Sequence, residues 1–213
     1  MYIREVFMKN SGFTLAEVLI TLGIIGVVAA LTVPTLMQNH QRKVYVTQLQ
    51  KVYTELSQAF QRQINDNNAL NLRESGLVAT KDFSKEKEFL HKYFKVVKDC
   101  GTDLTPCFAE EYSEINGGTT PVKQITNTKY AVTIASGATI GMRLGKKGTA
   151  DKAGINQLIF IDTNGAQGPN IRCRDMFNFT VSNDGEIRGA CLNHLIQKGW
   201  IMDEEYDADP YQT

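Results

Sequence analysis

The sequence predicts an α+β protein in which a long N-terminal helix packs on a small antiparallel sheet. Three observations predict this class. Residues 18–39 form an uncharged apolar run, residues 45–64 carry an apolar stripe with helical spacing, and the chain beyond residue 129 consists of short segments typical of strands. The 213 residues carry 23 basic and 23 acidic side chains, so no charge excess indicates a nucleic-acid ligand.

The run from Val18 to Asn39 is long enough to cross a membrane. As a helix it covers roughly 33 Å, which matches one hydrocarbon core. It is apolar nearly all round, as a helix in contact with lipid requires. The preceding stub carries Arg4 and Lys9 against Glu5, and a basic flank indicates the cytoplasmic side. A secretory signal peptide cut near residues 29–31 is the alternative, but the run is longer than the usual core of such a signal.

The junction between the stub and the run carries the segment GFTLAEVLITLGIIGVVAALTVP, which begins at Gly12. Over about residues 9–40 it resembles the N-terminal cleavage and methylation segment of type IV prepilins and of type II secretion pseudopilins. The resemblance implies that a prepilin peptidase cuts after Gly12 and methylates the new N-terminal residue, Phe13. The leader is then residues 1–12, or a shorter one if Met8 is the true start.

Glu17 is the only charged residue between Lys9 and His40, and a carboxylate inside a membrane needs a partner. The resemblance implies that Glu17 of one subunit pairs with the α-amine of Phe13 on its neighbour. The alternative is a hydrated carboxylate at the membrane edge without a role. Pro34 lies where helices of this family carry a proline, and its missing N–H predicts a kink or local melting.

After Pro34 the helix is predicted to continue to Asp66, where residues 65–68 favour a turn. Its apolar residues recur at spacings of 4, 3, 1, 3, 4 and 4, with polar residues on the other face. They are Tyr45, Leu49, Val52, Tyr53, Leu56, Phe60 and Ile64. This stripe predicts that the second half of the helix docks on a globular domain.

The globular part begins with helical and irregular segments. Residues 69–81 are predicted as a loop, and residues 82–95 as a short amphipathic helix capped by Asp82 or Ser84. Pro106 is typical of a helix start and predicts a second short helix, which extends through Tyr112.

Turn signals then separate four or five predicted strands. Asn-Gly-Gly at residues 116–118 predicts a turn, and YAVTIA and ATIGMRL around Ser136-Gly137 predict a hairpin. QLIFID predicts a third strand after a loop over residues 145–155. MFNFTVS and EIRGA predict a second hairpin, in which the Asp-Gly of residues 184–185 supplies the positive φ angles.

The chain has four cysteines, at positions 100, 107, 173 and 191, and an even number in an exported domain predicts two disulfides. Three pairings are open. We favour Cys100–Cys107 and Cys173–Cys191, because each closes a short loop or spans a hairpin pair. The spacings lack a Cys-x-x-Cys knuckle, which disfavours zinc. Free buried thiols are the remaining alternative.

The stretch IFIDTNGAQGPNIRCRDMFNF resembles a turn between late strands of many pilin-like proteins, and some pseudopilins bind calcium in such a loop. Asp162, Asn164 and Asp175 are the candidate ligands. The spacing departs from an EF-hand loop, because Ala166 stands where a third oxygen ligand belongs and no Glu stands at the twelfth position. We therefore favour a Gly-rich turn capped by Asp and Asn side chains, without a cofactor.

The predicted organisation is a cleaved leader (1–12), a transmembrane and assembly helix (13–39), its amphipathic second half (40–66) and an extracytoplasmic α+β domain (67–213). The sequence has no G-x-S-x-G, H-E-x-x-H or P-loop motif, which argues against an enzyme.

The resemblance therefore implies a structural subunit of a type IV pilus-like or type II secretion pseudopilus filament. Its expected partners are the prepilin peptidase, other pilin-like subunits, an assembly platform in the membrane, and lipid. It is expected to span the inner membrane once before it enters a periplasmic or cell-surface filament. The alternative is a minor tip subunit or a membrane-anchored adhesin with the same N-terminus.

Overall fold

The protein is described by a computed structural model that covers residues 12–125, 130–145 and 155–210. Its internal contacts divide the chain into two units, Met1–Gln41 and Arg42–Thr213. Helix α1 (Leu15–Asp66) supplies its first part to one unit and its second part to the other. The predicted loop over 145–155 lies mostly outside the described residues.

In the first unit, α1 is unbroken through Pro34. Of the two predicted alternatives, local melting at this residue is therefore wrong, whereas the kink stays a prediction. Proline removes only one backbone donor, and the helical turns on either side of Pro34 keep their own hydrogen bonds. The hydroxyl of Thr32 also donates to the carbonyl oxygen of Val28, at 2.9 Å, in the turn before the proline.

In the second unit, four short helices and eight strands follow α1 within the described ranges. The helices are α2 (Ser84–Tyr93), α3 (Val122–Ile125), α4 (Ala190–Gln197) and α5 (Glu204–Ala208). The strands are β1 (Val96–Gly101), β2 (Glu111–Ser113), β3 (Thr119–Pro121), β4 (Tyr130–Ile134), β5 (Thr139–Leu144), β6 (Ile155–Asp162), β7 (Met176–Ser182) and β8 (Ile187–Arg188).

Six of the strands form one antiparallel sheet in the order β1-β4-β5-β6-β7-β8. From β4 onward each strand pairs with the next along the chain, as a meander does. The strands β2 and β3 pair separately with each other. The α+β class, with its long N-terminal helix on a small antiparallel sheet, is thus confirmed.

The core lies between the second half of α1 and one face of the sheet. Leu49, Leu56 and Phe60 of α1 are fully buried, in one cluster with Ile140 and Ile161 of the sheet. Helix α2 adds Phe89, whose ring stacks on Phe60 at 5.0 Å between centroids. The predicted apolar stripe is therefore the docking face. Its flanks Tyr45, Tyr53 and Ile64 are only partly buried.

A smaller cluster covers the opposite face of the sheet. Ala131 and Phe160 point to it from β4 and β6, next to neighbours that face the main core. Successive side chains of a strand alternate between faces, so these strands are covered on both sides. Leu104, Phe108 and Tyr112, from the segment between β1 and β3, provide the cover.

The prediction of a second short helix from Pro106 to Tyr112 is wrong. Residues 111–113 form β2, because Tyr112 is fully buried and its backbone pairs with Thr120 of β3. The N-cap position of α2 is Phe83, which has a φ of 57° and makes no side-chain cap. Of the two predicted caps, Asp82 lies one residue earlier, and its Oδ1 accepts from the N–H of Ser84, the first helical residue, at 3.2 Å. In the hairpin turn before β8, only Gly185 has a positive φ, 87°.

Helices α4 and α5, which the sequence pattern did not reveal, close the end of the domain. Tyr206 of α5 is fully buried, and its hydroxyl donates to the carbonyl oxygen of Cys173 at 2.6 Å. Asp207 accepts from Arg42 at 2.7 Å and from Arg174 at 2.9 Å. The C-terminal segment is thereby held against the first turn of α1 in this unit.

Candidate processing and assembly site

The residues implied in processing lie just before the helix. Gly12 and Phe13 have no regular secondary structure, and the side chain of Phe13 is 87% exposed. Apart from its chain neighbours, no residue that the structure describes lies within 4 Å of a Cβ placed on Gly12. The peptide bond between these two residues is therefore open to a protease. The rest of the leader, residues 1–11, lies outside the described residues.

The first helical turn is closed by Thr14 and Glu17. Glu17 Oε2 accepts from the backbone N–H of Thr14 and from its hydroxyl, each at 2.8 Å. In return, the backbone N–H of Glu17 donates to the Thr14 hydroxyl at 3.2 Å. This reciprocal arrangement is a capping box, which satisfies helix-end donors that otherwise lack partners.

The capping box is a functional feature that the sequence analysis missed. Its signal was present, because Thr-x-x-Glu stands directly before an apolar run. The arrangement gives Glu17 a partner within its own chain, two bonds to Thr14. It also holds the carboxylate at the helix N-terminus, where the helix dipole favours negative charge. A positive charge created at Phe13 by cleavage would lie one residue from this cap.

The apolar half of α1 has no partner within the chain. Among the described residues, α1 is the one helix long and apolar enough to span a membrane, and its most apolar window is entirely unburied. The large exposed side chains are Leu15, Val18, Leu19, Ile20, Leu22, Ile24, Ile25, Val27, Val28, Leu31, Val33, Leu36 and Met37. This surface suits lipid or a bundle of like helices. Gly23 and Gly26 add small residues that let helices approach closely.

The four cysteines form two bonds in the structure, with the pairing that the sequence favoured. Cys100 is bonded to Cys107, with 6.2 Å between their Cα atoms. Cys173 is bonded to Cys191, with 5.6 Å between their Cα atoms. The first bond ties the end of β1 to the segment that covers the sheet. The second ties the turn before β7 to α4.

The candidate calcium ligands hold turns together. Asp162 Oδ1 accepts from the N–H of Asn164 at 3.2 Å, and its other oxygen accepts from the Tyr112 hydroxyl. Both oxygens of Asp175 accept backbone N–H groups, from Asn170 at 2.8 Å and Ile171 at 2.6 Å. These bonds agree with a turn capped by acidic side chains.

Burial dominates the electrostatics of this loop. Loss of water raises the pKa of Asp162 to about 8, and the nearby Asp175 adds to the rise. Burial also raises the pKa of Asp175. The amide oxygens of Asn164 and Asn170 are buried without a hydrogen-bond partner, so oxygen donors of the type that calcium prefers are present. Within the described ranges, however, no three or more His, Cys, Asp and Glu residues converge on one point. Calcium binding therefore stays a hypothesis.

The comparisons with known proteins agree with the geometry of the N-terminus. The family model of the prokaryotic N-terminal methylation motif matches residues 7–33. No curated protein and no solved structure matches the chain. The matched segment contains Gly12, Phe13 and the capping box, and it ends within the exposed apolar half of α1. The chain therefore carries the prokaryotic N-terminal methylation motif, the hallmark of type IV pilin and pseudopilin precursors.

Proposed function

We propose that this protein is the precursor of a structural subunit of a type IV pilus-like or type II secretion pseudopilus filament. A prepilin peptidase cuts it between Gly12 and Phe13 and methylates the new N-terminus. The mature subunit then enters a filament through the first half of α1. The observation that carries the proposal is the methylation motif at residues 7–33, set on a helix whose apolar half is wholly exposed.

The proposed path begins with a single membrane span. The basic stub favours a cytoplasmic N-terminus, and the second unit then lies outside the inner membrane. The two disulfides of that unit support an oxidising compartment, such as a periplasm or cell surface. An assembly platform in the membrane extracts the cleaved subunit and adds it to a periplasmic or surface filament.

Glu17 is proposed to gain a second partner during assembly. In the single chain its carboxylate is bound by Thr14. In the filament it also meets the α-amine of Phe13 from a neighbouring subunit, in an apolar environment where an opposite charge is more favourable than in water. The capping box thus keeps the carboxylate hydrogen-bonded until that neighbour arrives.

The test is the N-terminus of the mature protein. Mass spectrometry of the membrane fraction from the native host should find a chain that begins at Phe13 and carries one added methyl group. A Gly12→Val variant should keep its leader, because a branched side chain blocks a cleft that admits glycine. A matched Gly23→Val variant should be cleaved normally. A mature chain that begins beyond Ala30 contradicts the proposal and indicates a secretory signal.

A further inference from the structure

A basic cleft lies on one side of the second unit. It has a volume of about 310 Å³ and is lined by Lys51 and Arg62 of α1, by Lys95 after α2, and by the Tyr93 ring, with Glu55 as its one acid. The three basic residues are exposed, and none of them forms a salt bridge among the described residues, although Arg62 interacts electrostatically with Asp66 one turn further along α1. The cleft therefore presents a net positive charge.

An acidic segment lies at the C-terminal end of the same unit. Residues 203–209 contain five acidic residues and no basic one. Asp207 faces inward to Arg42 and Arg174, while Asp203 and Glu205 share Lys198. The side chain of Glu205 is nevertheless 70% exposed, and Glu204 is exposed as well. The segment therefore keeps a negative surface after its internal pairs are made.

The two surfaces lie on opposite sides of α1 and at different heights along it. Asp207 fixes the acidic segment at Arg42. Lys51 follows nine residues later, which is two and a half helical turns, so its side chain points to the opposite side. The cleft then extends along α1 to Arg62, so it lies about 14 to 30 Å further along the helix axis. The two surfaces of one chain are thus too far apart to meet.

We infer that the basic cleft of one subunit binds the acidic segment of a second copy of this chain. The inference rests on the proposed function, since it requires subunits that meet in a filament. The contact is heterologous, because each copy offers its cleft to one neighbour and its acidic segment to another. A heterologous contact that does not close into a ring produces an open helical assembly, as the proposed filament requires.

Charge complementarity favours a second copy over another partner. The chain has no net charge, with 23 basic and 23 acidic residues, so its exposed positive and negative surfaces can satisfy each other between copies. The expected contact is electrostatic, and salt therefore weakens it, over a Debye length of about 8 Å at physiological ionic strength. Its main effect is to set the register of neighbouring subunits.

The experiment reverses one charge on each surface in the full-length chain. Lys95→Glu and Glu204→Lys are expressed singly and together as the only copy in the native host. Sheared filaments and the cleaved membrane pool are then quantified. We expect each single variant to lower filament yield by about tenfold while the cleaved pool stays at the wild-type level. The double variant should recover to within about twofold of wild type. Lys81→Glu and Glu110→Lys change exposed charges elsewhere and should have no effect.

The outcomes separate the two proposals. If the wild-type chain is not cleaved after Gly12 or forms no filament, the proposed function is wrong. If wild-type filaments form and both single variants assemble normally, the cleft does not bind a second copy. If both single variants fail and the double variant does not recover, the charges act through different partners, and the inference is wrong as well. A cleaved pool at wild-type level shows that each variant is still made, inserted and processed, and an unchanged melting temperature in detergent shows that its second unit still folds.

Discussion

At the scale of single residues, the capping box changes how Glu17 is understood. A carboxylate at this position can stabilise its own helix, or it can meet the amine of a neighbouring subunit. Only the first role is visible in one chain, where Glu17 Oε2 binds Thr14. The two roles make different demands on the side chain, because a cap needs a hydrogen-bond acceptor whereas an ion pair needs a charge.

Substitutions of Glu17 separate these roles. Glu17→Gln keeps a capping box but removes the charge, and Glu17→Val removes both. We expect both variants to insert and to be cleaved, since the peptide bond after Gly12 is unchanged. We expect both to lose filaments, because the neighbour's amine at Phe13 then lacks a counter-charge. The measurement compares the cleaved pool with sheared filaments. Wild-type filament yield from Glu17→Gln alone would mean that Glu17 acts only as a cap.

A second residue, Glu86, predicts a pH dependence of stability. It is 1% exposed, and its Oε2 has no hydrogen-bond partner among the described residues. Burial raises the pKa of Glu86 above its ordinary 4.5, and the nearby Asp82 adds to the rise. The folded state therefore holds the proton more tightly than the unfolded state does. The protonated Glu86 therefore contributes fully to the free energy of unfolding at a pH below its pKa in the unfolded state. This contribution is lost as the pH rises through its pKa in the folded state.

Glu86→Gln should remove this loss, because glutamine does not ionise. The melting temperature of the variant in detergent should exceed that of wild type at pH 8 by a few degrees and approach it at pH 4. Glu88→Gln changes an exposed neighbour on the same helix and should leave the melting curve unchanged at both pH values. A Glu86→Gln variant that is less stable than wild type at pH 8 would show that the ionised carboxylate is needed.

At the scale of elements, the two disulfides close loops of unequal length. Cys173–Cys191 joins residues 18 apart, and Cys100–Cys107 joins residues 7 apart. A cross-link stabilises mainly by restricting the unfolded chain, and the effect grows with loop length. Replacement of Cys173 and Cys191 by alanine should lower the free energy of unfolding by roughly 3 kcal/mol. Replacement of Cys100 and Cys107 by alanine should lower it by roughly 2 kcal/mol.

The single tryptophan, Trp200, reports this unfolding, since its ring lies 5.7 Å from that of Tyr53 on α1. Urea titration followed by its fluorescence gives the two values. Peptide mapping of the wild-type protein without reductant supplies the control and should recover both bonds. Four free thiols in protein taken from the cell envelope would contradict the pairing and the oxidising compartment.

Sequence reasoning found the elements that carry their own periodicity. Helix α1 and the meander from β4 to β8 were predictable because apolar residues repeat there with the period of a helix or a strand. Strand β1 was missed, because Lys98 and Asp99 leave it without alternation and it pairs only at the sheet edge. Strand β2 was read as a helix, because Pro106 is a local signal whereas Tyr112 is placed by a distant contact with Asp162.

The proposed functional residues also fall into those that could be predicted from the sequence and those that depend on the fold. Gly12, Phe13 and Glu17 were found because their motif is contiguous in sequence. The acidic segment and the basic cleft could not be found, since each depends on which side chains the fold brings to one surface. Lys51 and Lys95 are far apart in the chain and line one cleft only after α2 docks on α1.

At the scale of the whole molecule, the chain combines an apolar anchor with a domain that has its own core. All buried apolar residues of the described ranges lie in the second unit, and none lies before Val46. A fragment of residues 42–213 should therefore fold and stay in solution without detergent. A chain that starts at Phe13 should need detergent, because its apolar half of α1 stays exposed. Analytical ultracentrifugation distinguishes the two, and an aggregated 42–213 fragment would show that the first unit is needed for folding.

The continuity of α1 also has a mechanical consequence. In the proposed filament, tension pulls on each subunit through the apolar half of α1, which belongs to the same unbroken helix as the core residues Leu49, Leu56 and Phe60. The load therefore reaches the domain as shear along the axis of α1. Leu49, Leu56 and Phe60 are buried together in the core, so we expect them to resist that shear as a group. Arg42 and Asp207 fasten the last segment of the chain to the first loaded turn. We therefore expect the second unit to bear force without losing its fold if the chain enters the proposed filament.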